Sequence, residues 1–359
     1  YILSPPSIIS LILLMLIFAV SLANNTFDIA MLQRYPRLFF QILAASSIAA
    51  YCLDKYGELF LLRCIVITVL IGAGACVLTL LFQDLNSLAL SLFATSDLEG
   101  YTGVRYSGFV RTFTISAIFT LSTLFLIRLD KLSPMNMLSF IFIFAIFWLG
   151  AILNARAGIL IGIFGYILHT LLTHGFKQTV IQTLKISIIL GLVVTSLFLY
   201  LDFAADREAF QFITLTLKHG FEPFISFSQT GQFTSSSAVD YLSKFFWFQN
   251  ETVPEIIFGT GDFGRIPGQK IPTDNGWAFI FNGLGLAGIF LHIMLGFSLI
   301  GSFKRHNPYR ILGIILFICF SVYNLKESLM FGKYFTALPV FVYVLGIYYD
   351  KLTEKKHFK

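Results

Sequence analysis

Arginines beside small residues, at the ends of apolar segments, are the side chains with the clearest potential for chemistry in this sequence. Arg156 lies in the segment Ala155-Arg156-Ala157-Gly158. Its guanidinium is planar and always charged, so it can bind phosphate or carboxylate through two parallel hydrogen bonds. A helix that begins there adds the positive end of its dipole. The segment predicts an anion-binding site, and the alternative is a structural hairpin whose arginine contacts lipid headgroups.

Two further arginines precede another apolar segment. Arg105 lies in Val104-Arg105-Tyr106-Ser107-Gly108, and Arg111 follows it closely. Both are expected at the entry of a helix. An arginine at such a place serves either as a lipid anchor or as a second contact to the same anionic ligand.

A carboxylate stands where it could accept a proton. Asp274 lies in Pro272-Thr273-Asp274-Asn275-Gly276-Trp277, directly before an apolar segment. One interpretation is that Thr273 or Asp274 caps the helix that follows. The other is that Asp274 acts as a general base, because a carboxylate beside arginines stays ionised. Further candidate contacts to a ligand are His219 and Glu222, and also Lys326 and Glu327, which could instead pair with each other.

A glycine-rich segment, Phe258-Gly259-Thr260-Gly261-Asp262-Phe263-Gly264-Arg265, matches the spacing of a dinucleotide-binding fingerprint. That fingerprint needs a strand before it and a helix directly after it. Here Pro267 and Pro272 follow in a polar stretch, so the dinucleotide interpretation is excluded. We expect a turn that brings backbone amides and Arg265 to a ligand.

The elements that carry these residues are predicted from composition. Hydrophobic residues make up 57% of the 359 positions and charged residues only 12%, against roughly 25% charged in a soluble domain. Lipid must therefore be the solvent, and the apolar segments have the length of about 17–25 residues that a spanning helix needs. The four cysteines lie inside these segments, as packing residues rather than a disulfide or metal set. The sequence predicts an all-α polytopic membrane protein with about ten spans: 7–23, 38–53, 59–82, 109–127, 135–153, 157–173, 180–201, 276–303, 311–325 and 334–349.

The predicted organisation is seven helices in residues 1–201, a long and partly helical outer loop in 202–275, and three helices with a cytoplasmic tail in 276–359. Thirteen Lys and Arg fall on one side of the spans and seven in the short loops of the other. Positive charge marks the cytoplasmic side, so both termini are expected there and the long loop outside. The chain begins with Tyr1, so a short preceding piece is expected, and the first apolar segment is interpreted as a span rather than a cleaved signal.

Arginine is distributed against this rule. Seven of the eleven arginines, among them Arg207 in the long loop, lie on the outer side, whereas nine of the fourteen lysines lie inside. Lysine is a hydrated point charge that suits orientation, whereas arginine suits bidentate recognition. The set of outer arginines predicts an anionic ligand at the outer leaflet.

In this order and on this side of the membrane, the motifs resemble the O-antigen polymerases, bacterial inner-membrane proteins related to the O-antigen ligases. The likeness extends over most of 105–327, and each motif in it is short. It rests on the segments at Arg105, Arg156 and Gly259, and then on Gly231-Gln232-Phe233-Thr234-Ser235-Ser236, on Thr273 to Trp277 followed by Gly283 to Gly288, and on Lys326-Glu327. The ligases carry His-Asn where this chain has Asp274-Asn275, which favours the polymerase and gives Asp274 the position of the ligase's catalytic histidine.

The resemblance implies a GT-C-like glycosyltransferase bundle that needs neither metal nor cofactor. Its substrates would be a growing glycan on undecaprenyl diphosphate as donor and a repeat unit on the same carrier as acceptor. Asp274 would accept the acceptor's hydroxyl proton, and Arg156 and Arg265 would hold the diphosphate, with Arg105 as a third contact. The expected partners are these lipids, the bilayer and a membrane protein that regulates chain length, and no nucleic acid.

Two alternatives remain from the sequence. An O-antigen ligase would use the same chemistry with lipid A core as acceptor. A transporter or flippase for an anionic lipid-linked glycan would also explain outer arginines, but transporters tend to carry ionisable or helix-breaking residues at mid-membrane. Here the centres of the predicted spans are nearly free of charge, which favours surface chemistry.

Overall fold

In the computed structural model the apolar segments that are described form α-helices, because a helix satisfies its backbone amides and carbonyls within its own segment when it is surrounded by hydrocarbon. The structure describes residues 4–82, 84–85, 87–88, 91, 115–154, 156–181, 184, 250–263, 275–325 and 337–357. No strand occurs among these residues. The predicted all-helical class is therefore confirmed for the described chain.

The helices are α1 (Pro5–Ala23), α2 (Ile29–Leu81), α3 (Ile115–Leu121), α4 (Thr123–Leu132), α5 (Met137–Asn154), α6 (Arg156–His174), α7 (Val253–Phe258), α8 (Gly276–Ser298), α9 (Pro308–Tyr323) and α10 (Ala337–His357). Five of them, α1, α2, α5, α6 and α8, contain stretches long and apolar enough to cross a membrane. They coincide with six predicted spans because α2 holds two. The chain is a helical membrane protein; the total of ten spans and the division at 201 and 275 stay predictions, and 185–249 lies outside the described residues.

The length of α2 requires an interruption. A helix of 53 residues would extend about 80 Å at 1.5 Å per residue, against a hydrocarbon core of about 30 Å. The interruption falls at Gly57, whose φ of 81° and ψ of 177° are not helical. A positive φ is open to glycine at little cost, and the break lies between the predicted spans 38–53 and 59–82.

The described residues form two compact units. The first unit contains residues up to Leu61 and the described residues from 250 onward; the second contains the described residues from Leu62 to 184. In the second unit α3, α5 and α6 pack on one another, and in the first α8 packs on α1 and α7 while α9 packs on α10.

Small residues bring α3 and α6 of the second unit into close contact. A Cβ at Gly158 would lie 2.5 Å from the backbone carbon of Ser116, and one at Gly162 would overlap Thr120. The Thr120 hydroxyl donates to the Gly158 carbonyl at 2.7 Å. Contacts of this kind drive helix association in lipid, where apolar burial gives no preference for a neighbouring helix over lipid tails.

One end of the first unit is closed by polar side chains in the loop between α8 and α9. The Asn307 amide donates to the Gly346 carbonyl and to Asp350, each at 2.8 Å, and its oxygen caps α9 at the Tyr309 amide at 2.9 Å. The Tyr309 hydroxyl bonds Glu58, just after the break in α2. These contacts therefore join the residue after the Gly57 break, the α8–α9 loop and the middle of α10 at Gly346 and Asp350.

The α3–α6 contact gives a prediction with a matched control. Gly158→Ala should lower the Tm of the purified protein in detergent by several degrees, since overpacking costs about 1–3 kcal/mol. Gly74→Ala, in the second arm of α2, should leave the Tm unchanged or raise it, because a Cβ there meets nothing within 4 Å. Equal Tm values for the two variants would contradict the close packing of α3 on α6.

Candidate functional site

The predicted site residues belong to segments that adjoin helix ends. Arg156 is the first residue of α6. The other nine lie outside the described residues: Arg105, Arg111, Arg207, His219, Glu222, Arg265, Asp274, Lys326 and Glu327. Arg156 and the described residues that follow Arg111 belong to the second unit. The described residues next to Arg265, Asp274 and Lys326 belong to the first unit.

In the second unit, two arginine-bearing segments adjoin helix starts that touch. Arg111 precedes α3 by four positions in the chain, and Arg156 opens α6. Ser116 on α3 and Gly158 on α6 are in contact near these starts. The first amides of α6 have no acceptor within their own helix, so they carry the partial positive charge that attracts an anion.

Asn154, the last residue of α5, is an unusual side chain of the second unit. It is 0% exposed, and neither its Oδ1 nor its Nδ2 has a hydrogen-bond partner in the described structure. It ends the buried stripe of α5, whose Gly150 packs against Ala73. An unpaired buried polar group costs about 1–3 kcal/mol, and native structures contain few of them. Sequence reasoning missed Asn154, because its position before Ala155-Arg156 is ordinary for the end of a span.

In the first unit, α8 begins one residue later than the predicted caps allow. Asn275 is the N-cap, and its side chain accepts from the Trp277 amide at 3.0 Å. The expectation that Thr273 or Asp274 caps this helix is therefore wrong, because Asn275 already occupies the capping position. Capping no longer accounts for an acidic residue at 274.

The start of α8 is locked to the end of α9. The Gly276 amide donates to the Asn324 carbonyl at 2.7 Å, and the Trp277 indole donates to the Ser321 carbonyl at 2.9 Å. Carbonyls in the last turn of a helix have no N–H donor within that helix. The Gly276 amide and the Trp277 indole supply donors to two such carbonyls at the end of α9, which lipid could not do. Asn275 and Leu325, the described neighbours of Asp274 and Lys326 in the chain, thus both lie where the start of α8 meets the end of α9.

A break inside α8 receives the glycine-rich turn. Gly285 has a φ of 61° and a ψ of −158°, outside the helical region. The amides of Thr260 and Gly261 donate to the carbonyls of Asn282 and Gly283 at 2.9 and 3.0 Å. The Asn250 side chain donates to the Phe281 carbonyl at 2.8 Å. The expectation that this turn presents its amides to a ligand is wrong for the amides of Thr260 and Gly261, because both donate to carbonyls of α8. Arg265 lies outside the described residues.

The end of α1 holds the same turn from the other side. The Thr26 hydroxyl donates to the Thr260 carbonyl at 2.8 Å, and the Asn24 amide donates to the Gly259 carbonyl at 3.4 Å. No motif was identified in the first hundred residues. The only signal in the sequence was the polar run Asn24-Asn25-Thr26 directly after an apolar span.

Phe263, at the end of the turn, packs beside a buried polar pair formed by Tyr35 and His292. It is 0% exposed and packs against Gly283 and Tyr35. The Tyr35 hydroxyl lies 3.4 Å from His292 Nε2, while His292 Nδ1 lies 2.7 Å from the Gly288 carbonyl. Because a carbonyl only accepts, Nδ1 carries the hydrogen and Nε2 accepts from Tyr35. His292 therefore joins α8, beyond its break at Gly285, to α2.

A capping box fixes the helix before the turn. The Thr252 hydroxyl accepts from the Glu255 amide, and the Glu255 carboxylate accepts from the amides of Thr252 and Glu251 at 3.0 Å each. The amide of Thr252, and then that of Glu251, lowers the pKa of Glu255. The short helix α7 thus has a fixed start, and Gly259 begins the turn at its C-terminus.

Within the described residues, no group of three or more His, Cys, Asp and Glu side chains is placed to hold a metal ion. The four cysteines are free: Cys52 and Cys64 are partly buried, and Cys76 and Cys319 are buried.

Two glycines with the same φ allow the effect of close contact between the turn and α8 to be measured apart from the effect of backbone strain. Gly57 and Gly259 both have a φ of 81°, but a Cβ meets nothing within 4 Å at Gly57 and overlaps the backbone of Gly283 and Leu284 at Gly259. Both glycines also have a ψ near 180°, a region almost restricted to glycine, so alanine at either position costs about 1–3 kcal/mol of backbone strain. Gly259→Ala should therefore lower the Tm in detergent well beyond Gly57→Ala. Equal losses would mean that the turn does not depend on contact with α8.

Comparisons of the chain with protein-family models, with curated proteins and with solved structures found no match.

Proposed function

We propose that the protein is a polymerase of O-antigen or a related surface polysaccharide, acting at the periplasmic face of a bacterial inner membrane. It transfers a growing glycan from undecaprenyl diphosphate to the non-reducing end of a repeat unit on the same carrier. Arginine concentrated on the predicted outer side of a helical membrane protein carries the proposal, because a lipid diphosphate is an anion held at the membrane surface.

The segment at Arg156 is the proposed diphosphate site. In its support, α6 begins at Arg156, so an arginine is the first residue of a 19-residue helix whose first amides favour an anion. Ser116 at the start of α3 contacts Gly158 near the start of α6, and Arg105 and Arg111 precede α3 in the chain. Such donors stabilise the negative charge that develops on a departing diphosphate without a metal.

Asp274 is the proposed proton acceptor. The acceptor hydroxyl oxygen attacks the anomeric carbon of the donor, and the bond from that carbon to the diphosphate oxygen breaks with its electron pair on the diphosphate. The hydroxyl proton passes to the Asp274 carboxylate. Asn275 supports this role, because it fills the capping function that would otherwise explain an acidic residue here.

One observation favours a transporter as the second candidate. The break of α8 at Gly285 is of the kind that lines ion and substrate paths in transporters. In transporters, however, the freed carbonyls face the substrate or ion, whereas here Asn250, Thr260 and Gly261 bind the carbonyls of 281–283. The polymerase is therefore preferred.

Conservative substitutions test the residue roles. Arg156→Lys and Asp274→Asn should each reduce polymerisation of purified lipid-linked repeat units at least tenfold, because lysine loses bidentate binding and asparagine cannot accept the proton. Arg63→Lys is the matched control: its guanidinium is exposed and bonds Ser133 at 3.3 Å, so chain lengths should not change. A chelator in the same assay should have no effect. Normal polymer from both site variants would remove the proposed mechanism.

Loss of the protein tests the reaction class. Cells without it should carry single repeat units on their surface glycolipid, since each unit is still exported and attached. A lipid A core without any repeat unit would indicate the ligase instead. Unchanged polymer length would exclude both activities.

A further inference from the structure

Asn154 differs from the other buried asparagines of the described residues. Asn275 caps α8, Asn307 makes three hydrogen bonds, and Asn282 and Asn324 are engaged in interactions of their own. Asn154 is fully buried, yet both polar atoms of its amide lack a partner within the described structure. The contrast with Asn307, whose amide is buried to a similar extent and fully paired, excludes burial alone as the explanation.

The position of Asn154 connects it with the proposed diphosphate site. It is the last residue of α5, two positions before the start of α6 at Arg156. Its side chain belongs to the inward stripe of α5, on the face that packs within the second unit. Two independent features thus meet at this turn: the start of a long helix, which favours an anion, and an amide that has both a donor and an acceptor to offer.

The chemistry of the amide identifies the ligand group. A diphosphate presents acceptors only, so it could satisfy the Nδ2 of Asn154 but not the Oδ1. A sugar hydroxyl, or an acetamido substituent, both donates and accepts and so complements both atoms. We propose that Asn154 binds the sugar attached to the diphosphate, while the start of α6 binds the diphosphate itself. Because the amide is shielded from solvent, the sugar reaches it only when the side chains that cover it are displaced.

This role of Asn154 rests on the proposed lipid-diphosphate substrate. Measuring the binding of two lipids to the protein in nanodiscs tests the role of Asn154 separately from the proposed substrate. The probes are undecaprenyl diphosphate without sugar and the same lipid carrying one N-acetylhexosamine. Wild-type protein should prefer the sugar-bearing lipid. Asn154→Leu, which is close in shape, should weaken binding of that lipid about tenfold and leave binding of the bare lipid unchanged. Asn154→Ser should fall between the two.

Stability provides the second measurement. Asn154→Leu should keep or raise the Tm, because it removes unpaired polar atoms and breaks no hydrogen bond. The matched control Asn307→Leu should lower the Tm and leave the preference between the two lipids unchanged.

The outcomes are distinct. A lowered Tm for Asn154→Leu and Asn154→Ser with an unchanged lipid preference would overturn the inference, because Asn154 would then be structural. Wild-type binding of both lipids with equal affinity would also overturn it, and would leave the proposed function standing. Failure of the wild type to bind either lipid would overturn the proposed function and this inference together.

Discussion

Hydrocarbon offers no partner to a backbone amide or carbonyl, and the described break in α8 and the junction of α8 with α9 both meet this constraint with donors from other segments. At the break in α8, Asn250, Thr260 and Gly261 supply donors to the carbonyls of 281–283. At the end of α9, the first amide of α8 supplies one. Polar contacts therefore hold together segments that lie far apart in the chain, because lipid offers no donor to these carbonyls.

Against this background an unpaired amide at Asn154 stands out. The same chain pairs Asn307 three times at a similar depth of burial, so its sequence has the means to satisfy a buried asparagine. Residues that serve a ligand commonly reduce stability while the ligand is absent, because their partners belong to the complex rather than to the fold. A position that is poor for stability and adjacent to a predicted anion site is therefore more informative than a well-paired one.

The sequence predicted the elements far better than the contacts between them. Apolar length located α1, α5 and α6, and the gap between the predicted spans 38–53 and 59–82 contains the break of α2 at Gly57, because span length is a local property. The cap of α8 was wrong by one residue, since Thr273, Asp274 and Asn275 are all good caps and only the structure selects among them. The bond from Thr26 to Thr260 joins residues 234 positions apart, which no local pattern contains.

The first unit gives a physical reason for the order of the motifs. The glycine-rich turn, the Asn275-Gly276-Trp277 segment and the end of α9 are spread over about sixty residues, yet each is fastened to the first turns of α8. The segments carrying Arg265, Asp274 and Lys326 continue directly from these three attachments. Residues far apart in the chain, from Gly259 to Asn324, are therefore joined at the first turns of α8, and this juxtaposition cannot be read from the spacing of the motifs along the chain.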